Sequence, residues 1–234
     1  MLEKKSTESS RRKNDRNKDS ISHPHHIKKL YGLKREEILR RLKEFKKLWL
    51  KGKDEEIFEE LAFCILTPQS KAKVCCEAIE RLKEQGLLSR GSNKEIKEGI
   101  KYVRFKNKKA DYLVKARNFF LNNGMVCIKS TLSQFKDTHQ CREWLVKNIK
   151  GLGYKEASHF LRNIGFGEKI SILDRHIMRN LKDLKIIEDV PESLSKAKYL
   201  AIEERMAAFS KEINIPLSHL DLILWYKETG EILK

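Results

Sequence analysis

Residues 148–174, NIKGLGYKEASHFLRNIGFGEKISILD, decide how this chain folds. Within them, Ile149-Lys150-Gly151-Leu152-Gly153 sets two glycines where one helix must stop and another begin. Glycine adopts positive φ without steric cost and lets neighbouring backbone come close, as a tight reversal requires. After Gly153 the pattern turns helical, with Ala157, Phe160, Leu161 and Ile164 recurring at spacings of three and four. The expectation is a helix-hairpin-helix over about residues 145–165, whose loop and second helix N-terminus offer N–H groups to a phosphate. Gly151, Gly153 and Tyr154 are its candidate DNA-binding residues.

Lys155 falls in the first turn of that second helix, where the macrodipole disfavours a cation. Two readings stand: a solvated lysine, the common case in so lysine-rich a chain, or an amine placed where its neutral, nucleophilic form is favoured. Asp174 closes the following segment, inside Ile172-Leu173-Asp174-Arg175-His176. It can cap a helix over 175–184, stabilise positive charge, or do both, because a capping carboxylate is held rigidly. His159 and Arg162 follow Lys155 at i+4 and i+7 on one face, with His159 expected to serve structure.

Working outward, Ile38, Leu42, Phe45, Leu48 and Trp49 predict an amphipathic helix from about Leu33 to Trp49. A second starts with Asp54 as N-cap and becomes wholly apolar before stopping at Thr67-Pro68, so it should be a buried central helix. Gln69 lies in the next turn, before a helix from Lys71 to about Gln85. The segment Tyr102–Ala110 interleaves aromatics with four cations, a mix suited to phosphate contact and base stacking. Within it Phe105 stands out, although a lone phenylalanine usually belongs to a core. Further helices are expected at Leu132–Ile149, Leu194–Ile213 and Leu217–Thr229, the last with Leu220, Ile223, Leu224 and Trp225 on its apolar face.

The 234 residues carry a formal net charge of +17, which implies a polyanionic partner. With no apolar run near membrane-spanning length and no apolar leader, membrane insertion and secretion are not expected. Cys64, Cys75, Cys76, Cys127 and Cys141 show no paired spacing and read as reduced thiols that pack as small hydrophobes. Residues 1–27 are polar and basic, an expected disordered tail ahead of a domain at 28–234. His23, His25 and His26 there are read as solvated rather than as metal ligands.

GLGYKEASHFLRNIG (151–165) followed by ILDRHI (172–177) resembles the hairpin and aspartate of the base-excision DNA glycosylase superfamily. More narrowly, the chain resembles the archaeal 8-oxoguanine DNA glycosylase/AP lyases of the second type. Cys64–Thr67, Ala201–Ile215 and Leu220–Lys234 match that family too, so the resemblance covers roughly residues 30–234. It implies an all-α fold of two helical subdomains with the hairpin at the cleft between them. It also implies double-stranded DNA containing 8-oxoguanine as partner, and a base flipped out of the helix. Lys155 would then be the nucleophile and Asp174 the stabilising carboxylate. Phe105 and Trp225 would sandwich the base, Gln69 would fill the gap it leaves, and the terminal carboxylate of Lys234 would accept the N7–H that guanine lacks. No cofactor and no metal are expected, and with no cysteine after Cys141 the four-cysteine iron–sulfur loop of some relatives is absent. The implied protein is a monomer in the cytoplasm of an archaeal cell, associated with the nucleoid. Two alternatives stay open: a glycosylase of the same fold for other oxidised bases, and a non-catalytic helix-hairpin-helix module.

Overall fold

The periodic apolar positions become helices along the chain, and the computed structural model describes residues 23–232. Lys234 and most of the basic tail therefore lie outside the described residues. The helices are α1 (His23–Lys51), α2 (Asp54–Leu66), α3 (Ala72–Glu84), α4 (Leu87–Arg90), α5 (Asn93–Gly99), α6 (Lys106–Phe120), α7 (Ile128–Leu132), α8 (Thr138–Asn148), α9 (Tyr154–Asn163), α10 (Arg175–Asp183), α11 (Lys196–Glu212) and α12 (Leu217–Thr229). Among the described residues the one strand pairing is a short antiparallel ladder, β1 (Leu121–Asn122) with β2 (Met125–Val126). The fold is all-α. No helix among the described residues is long and apolar enough to cross a membrane.

Three boundaries differ from expectation. The first helix begins at His23 rather than near Leu33, and Ile27, placed in the tail by composition, is 1% exposed. Its apolar burial outweighs the polar residues around it. The helix expected over 132–149 begins only at Thr138, since Leu132 ends the separate α7 and the Asp137 side chain accepts the Gln140 N–H to start α8 there. Asp54 is the first helical residue of α2 and not its N-cap; its carboxylate instead accepts the Lys129 N–H at 2.7 Å, at the start of α7. Lys53 is the cap of α2, its N–H donating to the Glu56 carboxylate at 2.8 Å.

Two apolar cores result. One gathers α2–α9 around Phe63, Leu66, Leu113, Leu145 and Phe160. The other joins α1, α10, α11 and α12 around Ile38, Met206, Leu220 and Leu224. With 29 residues, roughly 43 Å at 1.5 Å per residue, α1 serves both. Ile27 and Ile38 enter the second core, while Leu48 and Trp49 pack on the first.

Two buried ion pairs bridge the cores. Arg142 of α8, 0% exposed, donates two parallel 2.7 Å hydrogen bonds to the Glu203 carboxylate of α11. It also donates to Ser158 Oγ, and Glu203 Oε1 accepts the Ser171 N–H at 2.7 Å. Tyr199 donates its hydroxyl to the Ser171 carbonyl. Burial alone would weaken the Arg142 charge, but the Glu203 hydrogen bonds outweigh it and hold the guanidinium above its usual range. Arg162 of α9 likewise donates to Asp221 of α12 at 2.8 Å. Removing one partner strands a buried charge, so Glu203→Ala should destabilise the fold by about 3–5 kcal/mol. Denaturant unfolding followed by circular dichroism would read this.

Candidate active site at the hairpin

The hairpin is built from two different glycine conformations. Ile149 and Leu152 are buried and anchor the loop, which leaves Gly151 between them at φ +90°. A Cβ on Gly151 would lie 2.5 Å from Tyr112 Cδ2, so the ring of α6 closes directly on the loop backbone. Gly153 does not need the left-handed region. It caps α9 at φ −93°, ψ −175°, ordinary extended backbone, and its N–H donates to Glu156 Oε2 at 3.3 Å. The expectation that both glycines serve positive φ therefore holds for Gly151 alone. Tyr154 follows, its hydroxyl donating to the Glu143 carboxylate at 2.6 Å. Lys196 donates to the same carboxylate at 2.7 Å. Burial pushes the Glu143 carboxyl up, and these two donors overcome it to hold the group below the usual carboxylate range.

Lys155 sits in the first turn of α9 with its side chain 25% exposed, and its Nζ lies 3.6 Å from Glu156 Oε1. Its charge reaches the end of α2 and the start of α3. Burial pushes the Cys75 thiol up to about 11 against the pull of the Lys109 and Lys155 charges. Beyond Lys155 the same face of α9 turns inward. His159 is buried with its ring edge-on to Phe63, and Arg162 is spent on Asp221.

Asp174 is the N-cap of α10, its Oδ1 accepting the N–H groups of both His176 and Ile177 at 2.8 Å. Its segment is tied to α9 through Asp221, which takes Arg162 on one oxygen and the Ile172 N–H at 3.2 Å on the other. Burial raises the Asp221 carboxyl against the opposing pull of Arg162. His176 then packs edge-on to Trp225, ring centroids 5.0 Å apart, so aspartate, histidine and tryptophan form one run. The chain end stays nearby: Ile232 is buried and its carbonyl accepts a hydrogen bond from Arg41.

Gln69 and Phe105 are both exposed and both hold positive φ, +55° and +60°. The Arg104 guanidinium lies 5.0 Å from the Phe105 ring. They stand on elements of the first core, Gln69 in the turn between α2 and α3 and Phe105 at the start of α6, whereas Trp225 stands on α12, which packs in the second. Among the described residues no ring contact joins Phe105 to Trp225. Two surface clefts of about 360 and 410 Å³ are lined by other residues, around Trp49 and around Ile202. Among the described residues no group of three or more His, Cys, Asp or Glu is placed to hold a metal ion.

Sequence reading passed over Arg142, Glu203 and Asp221, and it counted Lys109 among the cations free for phosphate contact, whereas all four are buried. One signal was available. On α6 the buried positions Lys109, Ala110, Leu113, Ala116, Arg117 and Phe120 form a regular helical stripe, and a lysine inside such a stripe has a structural or functional reason to be there.

A glycine hairpin between two helical cores, with a lysine opening its second helix, is the architecture of a helix-hairpin-helix protein. A family model described as 8-oxoguanine DNA glycosylase matches residues 38–215. The chain is 48% identical over 208 residues to an 8-oxoguanine DNA glycosylase/AP lyase of Fusobacterium nucleatum, covering 89% of this chain and 96% of that one. It is 43% identical over 202 residues to one of Korarchaeum cryptofilum, covering 86% and 91%. The structure matches the Methanocaldococcus jannaschii 8-oxoguanine glycosylase/lyase in complex with a 15mer DNA containing 8-oxoguanine, with a TM-score of 0.80 and 39% identity over 89% of this chain and 99% of that one. The chain belongs to the 8-oxoguanine DNA glycosylase family.

The two glycines should separate on mutation. Gly151→Ala forces a side chain to positive φ and into Tyr112, and should cost about 1–3 kcal/mol. Gly153→Ala, in extended backbone facing only the flexible Glu156 carboxylate, should cost much less. Paired denaturation curves measure the difference.

Proposed function

We propose that this chain excises 8-oxoguanine from double-stranded DNA and then nicks the strand at the resulting site. The observation that supports this most directly is Lys155, which lies in the first turn of the second hairpin helix with its side chain partly exposed. The +17 charge supplies sequence-independent attraction to the duplex. Backbone N–H groups at Gly151 and Tyr154 would hold a phosphate there, with the Gly153 N–H joining them once it leaves the Glu156 carboxylate.

In this reading the damaged nucleotide rotates out, Gln69 fills the gap in the stack, and Phe105 and Trp225 close on the two faces of the base. Neutral Lys155 Nζ attacks C1′, the C1′–N bond breaks, and the base leaves with its electron pair. Asp174, rigid at its cap, stabilises positive charge on the sugar meanwhile. Ring opening gives a Schiff base between Nζ and C1′. This iminium acidifies the C2′ proton, and its loss expels the 3′ phosphate in a β-elimination. The Lys234 carboxylate would accept the N7–H of the oxidised base, and guanine, offering a lone pair there, would be rejected. The protein would act as a monomer at the nucleoid in the cytoplasm, its glycosylase domain starting with the helix at His23.

Borohydride trapping on a duplex with one 8-oxoguanine opposite cytosine tests this, with a guanine duplex as control. Wild type should form a covalent adduct on the lesion duplex, and Lys155→Gln should lower its rate by on the order of 10³-fold or more. Removing Lys234 should erode the preference for the lesion over guanine. Salt-sensitive binding to any duplex without an adduct would leave only a non-catalytic helix-hairpin-helix module.

A further inference from the structure

Lys109 is the buried charge that the steps above do not use. Its side chain is 4% exposed, and its three N–H donors meet three oxygens: the Leu66 carbonyl at 2.7 Å, the Pro68 carbonyl at 2.7 Å and Ser70 Oγ at 3.0 Å. The first bond satisfies the C-terminus of α2, as a cation there commonly does. The other two go to the turn that carries Gln69. Ser70 Oγ has a second task, accepting the Arg104 N–H at 3.2 Å, one residue before Phe105. A single ammonium and one hydroxyl thus join two turns more than thirty residues apart in sequence. Each turn exposes one side chain at positive φ, Gln69 at +55° and Phe105 at +60°. Such backbone is uncommon for a non-glycine residue and for a bulky aromatic is held only by its surroundings.

The position of Lys109 on α6 strengthens the link. Phe105 caps the helix, Lys109 follows at i+4 and Tyr112 at i+7, so all three share a face. Tyr112 is the ring that closes on Gly151 of the hairpin. Burial pulls the Lys109 ammonium below its usual range. The fold keeps a cation where an apolar side chain would be cheaper to bury.

We propose that Lys109 is a positioning residue for base extrusion. Its ammonium, through Ser70, holds the Gln69 and Phe105 turns in one register, so that one side chain enters the base stack as the other receives the extruded base. This rests on the reading of Gln69 and Phe105 given above. A residue that merely supported the core would affect every activity alike. A positioning residue should matter most for the step in which a stacked base leaves the duplex, and least for cleavage at an abasic site, where no base has to be moved.

Lys109→Met keeps the aliphatic stem and removes the three donors, and Ser70→Ala removes only the bridging oxygen in case the first variant folds poorly. Each is compared with wild type in three assays: excision of 8-oxoguanine, borohydride trapping on a duplex with a preformed abasic site, and fluorescence of a 2-aminopurine placed beside the lesion. The expected result is excision lowered about 10- to 100-fold, the scale of a small misplacement at a reacting site. Abasic-site trapping should stay near wild type, and the fluorescence rise that reports unstacking should be lost. Excision and unstacking equal to wild type in both variants would overturn the inference, and so would parallel loss of excision and abasic trapping. A wild type that unstacks the base without excising it would sink the functional reading alone, since the fluorescence arm still reads the role of Lys109.

Discussion

The placement of Lys155 and Asp174 depends on two arginine–carboxylate pairs buried between the cores. Arg142–Glu203 joins α8 to α11, and Arg162–Asp221 joins α9 to α12. Each carboxylate also takes a backbone N–H from the strand-like stretch before Asp174, Ser171 for Glu203 and Ile172 for Asp221. Apolar contact alone tolerates sliding, because it has no direction. A two-pronged guanidinium bond and a backbone bond on the same carboxylate admit one arrangement. The chain entering Asp174 is therefore fixed against both the helix before the hairpin and the helix after it.

The backbone shows where the fold holds strain and where it does not. Lys185 and Asn214 adopt positive φ just past the ends of α10 and α11, where a left-handed residue commonly closes a helix. Asn123 does so in the turn between the two short strands, beside Gly124. Gln69 and Phe105 have no such ordinary reason. Phe105 precedes a helix, carries a ring, and still takes the left-handed conformation. These two cases are the exposed side chains of the two turns that Lys109 and Ser70 join.

Much of this was legible in the sequence, and the parts that were not share a cause. The bounds of the last helix, Leu217–Thr229, follow from its apolar residues and agree with the structure. The cap at Asp174 could be read because Asp before a helical run is a local signal. The break at Asp137 looked like continuous helix, since no glycine or proline marks it. The early start of α1 was hidden because the burial of Ile27 comes from a core assembled at the far end of the chain. Long-range pairs were the least visible. Arg142 and Glu203 are 61 residues apart, and only the fold shows that each is the other's partner. Lys155 is ambiguous between nucleophile and solvated surface on local grounds, and the resemblance around it is what favours the nucleophile.

The shared face of α6 has a consequence for scale. Phe105 and Tyr112 are seven residues apart, roughly 10 Å along a helix. One end of that rod abuts the Gly151 loop of the hairpin, and the other ends in the exposed ring. Helical pitch, not loop flexibility, therefore sets the distance between hairpin loop and ring, and α6 works as a gauge. Inserting one residue between these positions would lengthen it by only about 1.5 Å, but would turn the ring about 100° away from the face that Tyr112 defines. The fold can accept longer loops elsewhere far more readily than one extra residue in this helix.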